Sequence, residues 1–250
     1  MGHLSIRGLT SFTTVWGGLP AYNAKVLALS PGVYWPLWDT SGTEATDSTG
    51  NNWHAAYVNS PTLDQTGIGD GRGCPSFDAS NDYVNIYVAG FVLAFSGLEG
   101  TVNLWAKVSA ADEWTDSTAR YLMHLYSLAD QYVRIYKPTN DGQLIWEYAA
   151  PSTVQTITKT SVSATGWMTL GLTWSVTDGD AGEVKAYYNG SQESTTQTGL
   201  GAWNGLTSST TTTLAASSTA PAALWKGNIA HVAWWDSVLT ATQMATLAVV

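Results

Sequence analysis

Only one cysteine, Cys74, occurs in 250 residues, so no disulfide can form within the chain. Its thiol reads as a small buried side chain. Charge is scarce as well: 10 Lys and Arg against 19 Asp and Glu, 12% charged in all, for a net charge of −9. No basic cluster interrupts that acidic field, since Lys107 and Lys185 are separate strand positions, and a nucleic-acid backbone is therefore excluded as a partner. No apolar run approaches the roughly 20 residues that cross a membrane. Residues 1–20 carry no apolar core behind a basic start, so the expectation is a chain made and assembled inside a cell, without membrane contact. Glu, Lys, Gln and Arg are too few for long amphipathic helices.

What is abundant points the other way. Thirteen Trp and 12 Tyr accompany much Thr, Ser, Val and Gly, a composition of strands and turns. The chain is long enough to bury a core without staples. The predicted class is all-β.

The clearest pattern runs over residues 167–189. Met168, Leu170, Leu172, Trp174 and Val176 alternate with Trp167, Thr169, Gly171, Thr173 and Ser175, a period of two. A turn cluster at residues 177–182 follows, and then Val184, Ala186 and Tyr188 alternate with Glu183, Lys185 and Tyr187. The segment predicts an antiparallel hairpin with one buried and one wetter face, ending at Asn189 and Gly190.

Residues 1–19 lack a period and read as an arm ordered against a neighbour. After Pro20, the spacing of Tyr22, Val26 and Leu29 predicts a short helix. Residues 33–38 read as a strand with an edge or bulge at Pro36. A polar loop over 39–52, a strand over 53–58 and a glycine-rich loop over 61–74 follow. Two strands flank a tight turn within 76–86, and residues 100–108 alternate cleanly. Strands are predicted over 121–128 and 132–136, then a hairpin turn at 140–142 into 143–148, and a strand over 153–163. Residues 199–220 are Thr/Ser-rich and read as loop with one or two weak strands. A last strand spans 227–235, and Thr240 with Gln243 makes a capping-box pattern for a short C-terminal helix. This train of strands predicts a two-sheet sandwich over residues 20–250 plus the arm.

Three segments together resemble the laminin-G-like, concanavalin A-like lectin/glucanase jelly-roll superfamily. They are residues 22–58, the stretch SFDASNDYVNI (76–86) followed by GTVNLWAKV, and the 166–190 hairpin with the closing strand and helix over 227–247. The resemblance implies a two-sheet antiparallel jelly-roll sandwich with short helices near the start and at the C-terminus. The opening segment is also similar to laminin-G-like modules on bacteriophage virion proteins. That implies a non-enzymatic structural protein, a capsid decoration or tail-associated component assembled in host cytoplasm and present in repeated copies or as a homo-oligomer. Its arm would hold other virion proteins, and its jelly roll would aid host or glycan adhesion. The alternative is a carbohydrate-binding module or adhesin outside a virion.

Chemistry-bearing motifs are few. The histidines His3, His54, His124 and His231 are scattered, no nucleophile elbow occurs, and zinc spacings are missing. His231 sits between apolar residues and reads as structural. A glucanase, the third reading, needs two carboxylates about 5–10 Å apart across a cleft; Asp112, Glu113 and Asp116 are the nearest set and read as a solvated loop. Asp39, Glu44, Asp47 and Asn51 offer hard oxygens in one loop, with Asp236 able to approach. The resemblance implies structural calcium there, while an Asx-turn loop without an ion is the other reading. For glycan, Trp114 and Trp203 lie in polar loops where an exposed ring can stack on a sugar, or instead pack against the sandwich.

Overall fold

A computed structural model describes residues 21–177, 182–203 and 205–250. The chain opens with α1 (Ala21–Leu27), β1 (Val33–Trp35), β2 (Glu44–Ala45) and β3 (Ala55–Val58). Next come β4 (Thr62–Thr66), β5 (Gly73–Asp78), β6 (Tyr83–Asn85) and α2 (Ala89–Ala94). The middle holds β7 (Glu99–Val108), the 3-10 turn η1 (Ala111–Trp114), β8 (Arg120–Leu128), β9 (Gln131–Lys137) and β10 (Leu144–Ala150). β11 (Thr153–Lys159), β12 (Met168–Ser175), β13 (Glu183–Tyr188) and β14 (Ser191–Thr198) follow, and β15 (Thr213–Leu214), β16 (Lys226–Trp235) and α3 (Ala241–Leu247) complete it.

Two eight-stranded antiparallel sheets face each other as a jelly-roll sandwich. The first runs β14-β13-β12-β7-β16-β5-β4, with β1 also paired to β16. The second runs β11-β10-β9-β8-β15-β6-β3-β2. The expected arm, residues 1–19, lies outside the described residues, as do Gly179 and Asp180 of the central turn.

Register explains the centre of the first sheet. β12 pairs with β13 through Leu170↔Tyr188 and Trp174↔Val184, and with β7 through Leu170↔Leu104 and Leu172↔Val102. The even-numbered side chains of both strands therefore point into one core. Trp174 stands opposite Gly100, where an added Cβ would meet the indole at 2.6 Å. The wetter face expected for the central hairpin is absent along β12, whose eight residues are all buried. Its other side is roofed by α1 and α3: Tyr22, Val26, Met244 and Leu247 form a second apolar cluster with Trp105 and Trp235. A Cβ on Gly171 would lie 2.2 Å from Met244 Cε, so α3 sits directly on the strand.

The ends behave as their sequences suggest. Tyr22 and Val26 are the buried face of α1, and the Tyr22 hydroxyl donates to Leu247 O at 2.8 Å. Thr240 and Gln243 close a reciprocal capping box on α3. β16 bulges between Ala230 and Ala233, and there the His231 N–H reaches Pro36 O at 3.0 Å. His231 itself is structural: its Nδ1 is hydrogen-bonded with the Tyr34 hydroxyl at 2.5 Å, and its Nε2 faces Asp70 at 3.2 Å.

Some elements differ from the sequence reading, among them β2 within the polar loop over 39–52. The glycine-rich loop over 61–74 contains β4, an edge strand of mostly exposed polar residues. α2 is a third helix, short and holding Phe91 in the core, and β14 extends the first sheet with polar residues alone.

Candidate functional site

The residues expected to stack on sugar are not at the surface. Trp114 is 1% exposed; its Nε1 donates to Ala164 O at 2.8 Å and its ring meets Trp225 edge-on. Trp203 is 3% exposed and packs on Phe95 and Tyr148, with Gly97 close over its ring. Both tryptophans are core side chains entering from loops, because burying so large an apolar surface outweighs the polarity of its sequence neighbours. Neither offers a face to a sugar.

Of the expected calcium ligands, Asp39, Asp47 and Asn51 are engaged in hydrogen bonds within the protein. Asp47 takes both carboxylate oxygens inward, accepting from the backbone N–H groups of Tyr34, Thr49 and Trp53 and from the Thr49 hydroxyl. Asp39 accepts from the Thr46 N–H and hydroxyl and from the Tyr57 hydroxyl. Asn51 donates to Gly32 O, and exposed Asp236 follows the last strand. Among the described residues no three His, Cys, Asp or Glu come together for an ion. The loop is an Asx-turn loop whose acids satisfy its own backbone.

Of the acids weighed for hydrolysis, Asp112 is exposed, as a solvated loop would have it, whereas Glu113 and Asp116 join an ion network. Glu113 is 2% exposed, with Arg120 at 2.8 Å, Lys226 at 2.6 Å and the Ser109 hydroxyl at 3.1 Å. Asp116 bonds Arg120 and lies 3.0 Å from Lys137, a fully buried ammonium that also donates to the carbonyls of Thr118 and Pro138. Burial pushes the Asp116 carboxyl up, but the hydrogen bonds from Arg120 and Lys137 outweigh that and hold it at about 2. Its folded value thus lies below its unfolded one, and the stability it contributes is complete above pH 4 and lost as pH falls toward 2. Thermal melts across that range are expected to show this decline, and Asp116→Asn is expected to flatten it.

A cavity of about 370 Å³ lies in the β4–β5 hairpin between Asp64 and Gly73. Its walls are the glycine backbone at 67, 69, 71 and 73 with Asp64, Gln65, Thr66 and Arg72, and none of these is an aromatic face for a sugar.

The strongest surface constellation is one the sequence reading passed over. In β9, Val133 and Ile135 point into the core, so Tyr132, Arg134 and Tyr136 project from the second sheet's outer face. Cross-strand register continues the rows. His124 opposes Arg134, Tyr126 opposes Tyr132 and Tyr121 opposes Tyr136 on β8; Glu147 opposes Arg134 on β10. Tyr121 and Tyr136 stack at 4.9 Å, and Tyr126 and Tyr132 lie parallel at 6.3 Å. The Arg134 guanidinium sits between them, 4.3 Å from the Tyr132 ring and 4.8 Å from that of Tyr136. It pairs with Glu147 at 2.5 Å and donates to the Tyr121 hydroxyl at 2.9 Å; the Tyr136 hydroxyl also donates to Glu147, at 3.1 Å.

Burial, with the Arg134 charge adding a small push, lowers His124 to about 4 against the raising effect of its bond to Ser217. Burial likewise raises the phenols of Tyr121, Tyr132 and Tyr136. At neutral pH the face thus presents uncharged rings around one internally neutralised ion pair. Such a surface can stack against apolar sugar faces and exchange hydrogen bonds with hydroxyls. A Tyr-x-Arg-x-Tyr alternation in β9 was its signal in the sequence, but the neighbouring rows depend on strand register.

The fold has relatives of known structure. Domain 4 of AbnA, an extracellular arabinanase from Geobacillus stearothermophilus solved with arabinotriose, superposes with a TM-score of 0.62 at 16% identity, over 88% of this chain and 98% of that one. The receptor-binding domain of botulinum neurotoxin mosaic serotype C/D gives 0.61 at 10% identity, over 87% of this chain and 50% of the other. A Trypanosoma rangeli sialidase bound to the inhibitor DANA gives 0.58 at 10% identity, over 86% and 32%. At these identities the likeness is one of fold. No curated protein sequence matches the chain. The model of one family does, over residues 78–245, more than half the length. The chain belongs to the concanavalin A-like lectin/glucanases superfamily.

Proposed function

We propose that the chain is a non-catalytic glycan-binding module whose binding surface is the tyrosine-lined outer face of the second sheet. The observation that carries this reading is the placement of four tyrosines, partly exposed except for Tyr132, on one face, three of them stacked on Arg134 and the fourth, Tyr126, parallel to Tyr132. Rigid amphipathic rings offer contact area at low entropic cost. The arabinanase domain solved with arabinotriose lends the reading support as a structural relative. The buried Glu113 network has its oxygens engaged by cations, which supports binding without hydrolysis.

An array of neutral and acidic oligosaccharides tests it: the chain is expected to retain a subset, and Tyr132→Ala with Tyr136→Ala is expected to lose them. An array without hits, or hits untouched by those substitutions, contradicts the reading. The setting we propose with it is a phage particle, on the resemblance of residues 22–58. Sedimentation of the chain with assembled particles tests that setting separately, and a chain that stays in the supernatant contradicts it.

A further inference from the structure

One acceptor on this face is left without a donor. His124 Nδ1 lies 3.0 Å from Ser217 O. A carbonyl can only accept, so Nδ1 carries the hydrogen and Nε2 keeps a lone pair. Nε2 is buried and meets no hydrogen-bond partner among the described residues, while the residue is 5% exposed. The rings of Tyr121, Tyr126 and Tyr132 surround it at 5.2, 5.1 and 5.9 Å. Of these, Tyr126 is partly exposed, and its hydroxyl bonds none of the described residues. Of the rings beside His124, that of Tyr126 is thus the one that no side-chain hydrogen bond to a described residue holds in place.

The charge on the face also selects. Arg134, the cation of this row, is already matched by Glu147 at 2.5 Å and capped by the Tyr121 hydroxyl. An anionic sugar would find its positive charge spent and would approach a chain of net charge −9. A neutral sugar meets no such barrier. Its hydroxyls are donors, which is what Nε2 lacks.

We propose that the glycan is a neutral saccharide and that His124 Nε2 accepts a hydrogen bond from one of its hydroxyls. This rests on the tyrosine face being the glycan surface. Tyr126 then acts as the movable edge of the site, and His124 as a residue that reads a hydroxyl. His124 stays an unprotonated acceptor at neutral pH, because burial holds its pKa at about 4.

The test uses the full chain with 15N-labelled histidine. Neutral probes are arabinotriose, cellotriose, maltotriose and N-acetylchitotriose; acidic probes are sialyllactose and trigalacturonate. The tightest neutral probe is expected to bind at least tenfold better than either acidic one. It should shift the His124 Nε2 resonance upfield, as a nitrogen that begins to accept a hydrogen bond does. His124→Asn keeps a donor toward Ser217 and deletes Nε2, and is expected to weaken the neutral probe by about tenfold, the effect of one lost hydrogen bond to a ligand. Acidic probes binding as well as neutral ones overturn the inference while the glycan reading stands. So does an Nε2 resonance that stays put while tyrosine resonances move, a readout that needs no variant. If no saccharide binds at all, both fall together.

Discussion

Arg134→Ala is expected to abolish detectable saccharide binding, by 100-fold or more, and to lower the melting temperature by about 4–12 °C. Arg134 supports the face in two ways. Its guanidinium fills the space between the Tyr132 and Tyr136 rings, and it neutralises Glu147, which is 7% exposed. Removing one partner of a buried ion pair costs about 3–5 kcal/mol. The Arg134 side chain is 21% exposed, which brings the expectation down to about 2–3 kcal/mol. For a chain of this size each kcal/mol moves the midpoint by about 2–4 °C. Binding suffers more, because the rings of Tyr121, Tyr132 and Tyr136 lose their common support and Glu147 becomes an unpaired anion beneath the sugar. Arg134→Lys keeps the charge but lacks the planar fork, and should fall between wild type and alanine. Replacing Arg134 and Glu147 together by methionine should recover stability without recovering binding. Calorimetric titration and thermal melts on the set separate the two roles.

Glu113→Gln is expected to be as costly to stability and silent in binding. Glu113 joins Arg120, Lys226 and the Ser109 hydroxyl at a site 2% exposed, so it ties η1 to β8 and β16. A glutamine keeps the shape but removes the charge that answers Arg120, itself 7% exposed. Asp116 remains on Arg120, and Lys226 is 43% exposed and can turn to water. The expected loss is therefore about 2–4 kcal/mol, or about 4–16 °C in melting temperature. The contrast with Arg134 is the point: equal destabilisation, unequal effect on saccharide affinity. A Glu113→Gln chain that melts normally would mean the network contributes little. Wild-type cleavage of a polysaccharide that disappears in the variant would give Glu113 a chemical role instead.

The sequence revealed those features whose cause is local. Alternation placed β12 and β7, the spacing of Tyr22 and Val26 marked α1, and Thr240 with Gln243 marked α3. Features decided by what lies on top were not legible. Thr169, Thr173 and Ser175 look like a solvent face, yet α1 and α3 roof that side of the first sheet. Trp114 and Trp203 sit among polar neighbours, and only the sandwich interior shows why those rings turn inward. Polar β4 and β14 carry no apolar period because, at the sheet edges, they need pairing and not burial. The tyrosine face was hidden for a related reason. Its rows are set by β8–β9–β10 register, including a bulge between Tyr121 and Met123, which strand periodicity alone cannot supply.

The most direct test of a binding face without chemistry is a titration of the full chain, its tyrosine rings 13C-labelled, with the neutral trisaccharides in one NMR series. The expected result is saturable shifts at Tyr121, Tyr126, Tyr132 and Tyr136, with the sugar's own resonances unchanged after prolonged incubation. Shifts confined to other tyrosines, or the growth of new reducing-end signals, would contradict it.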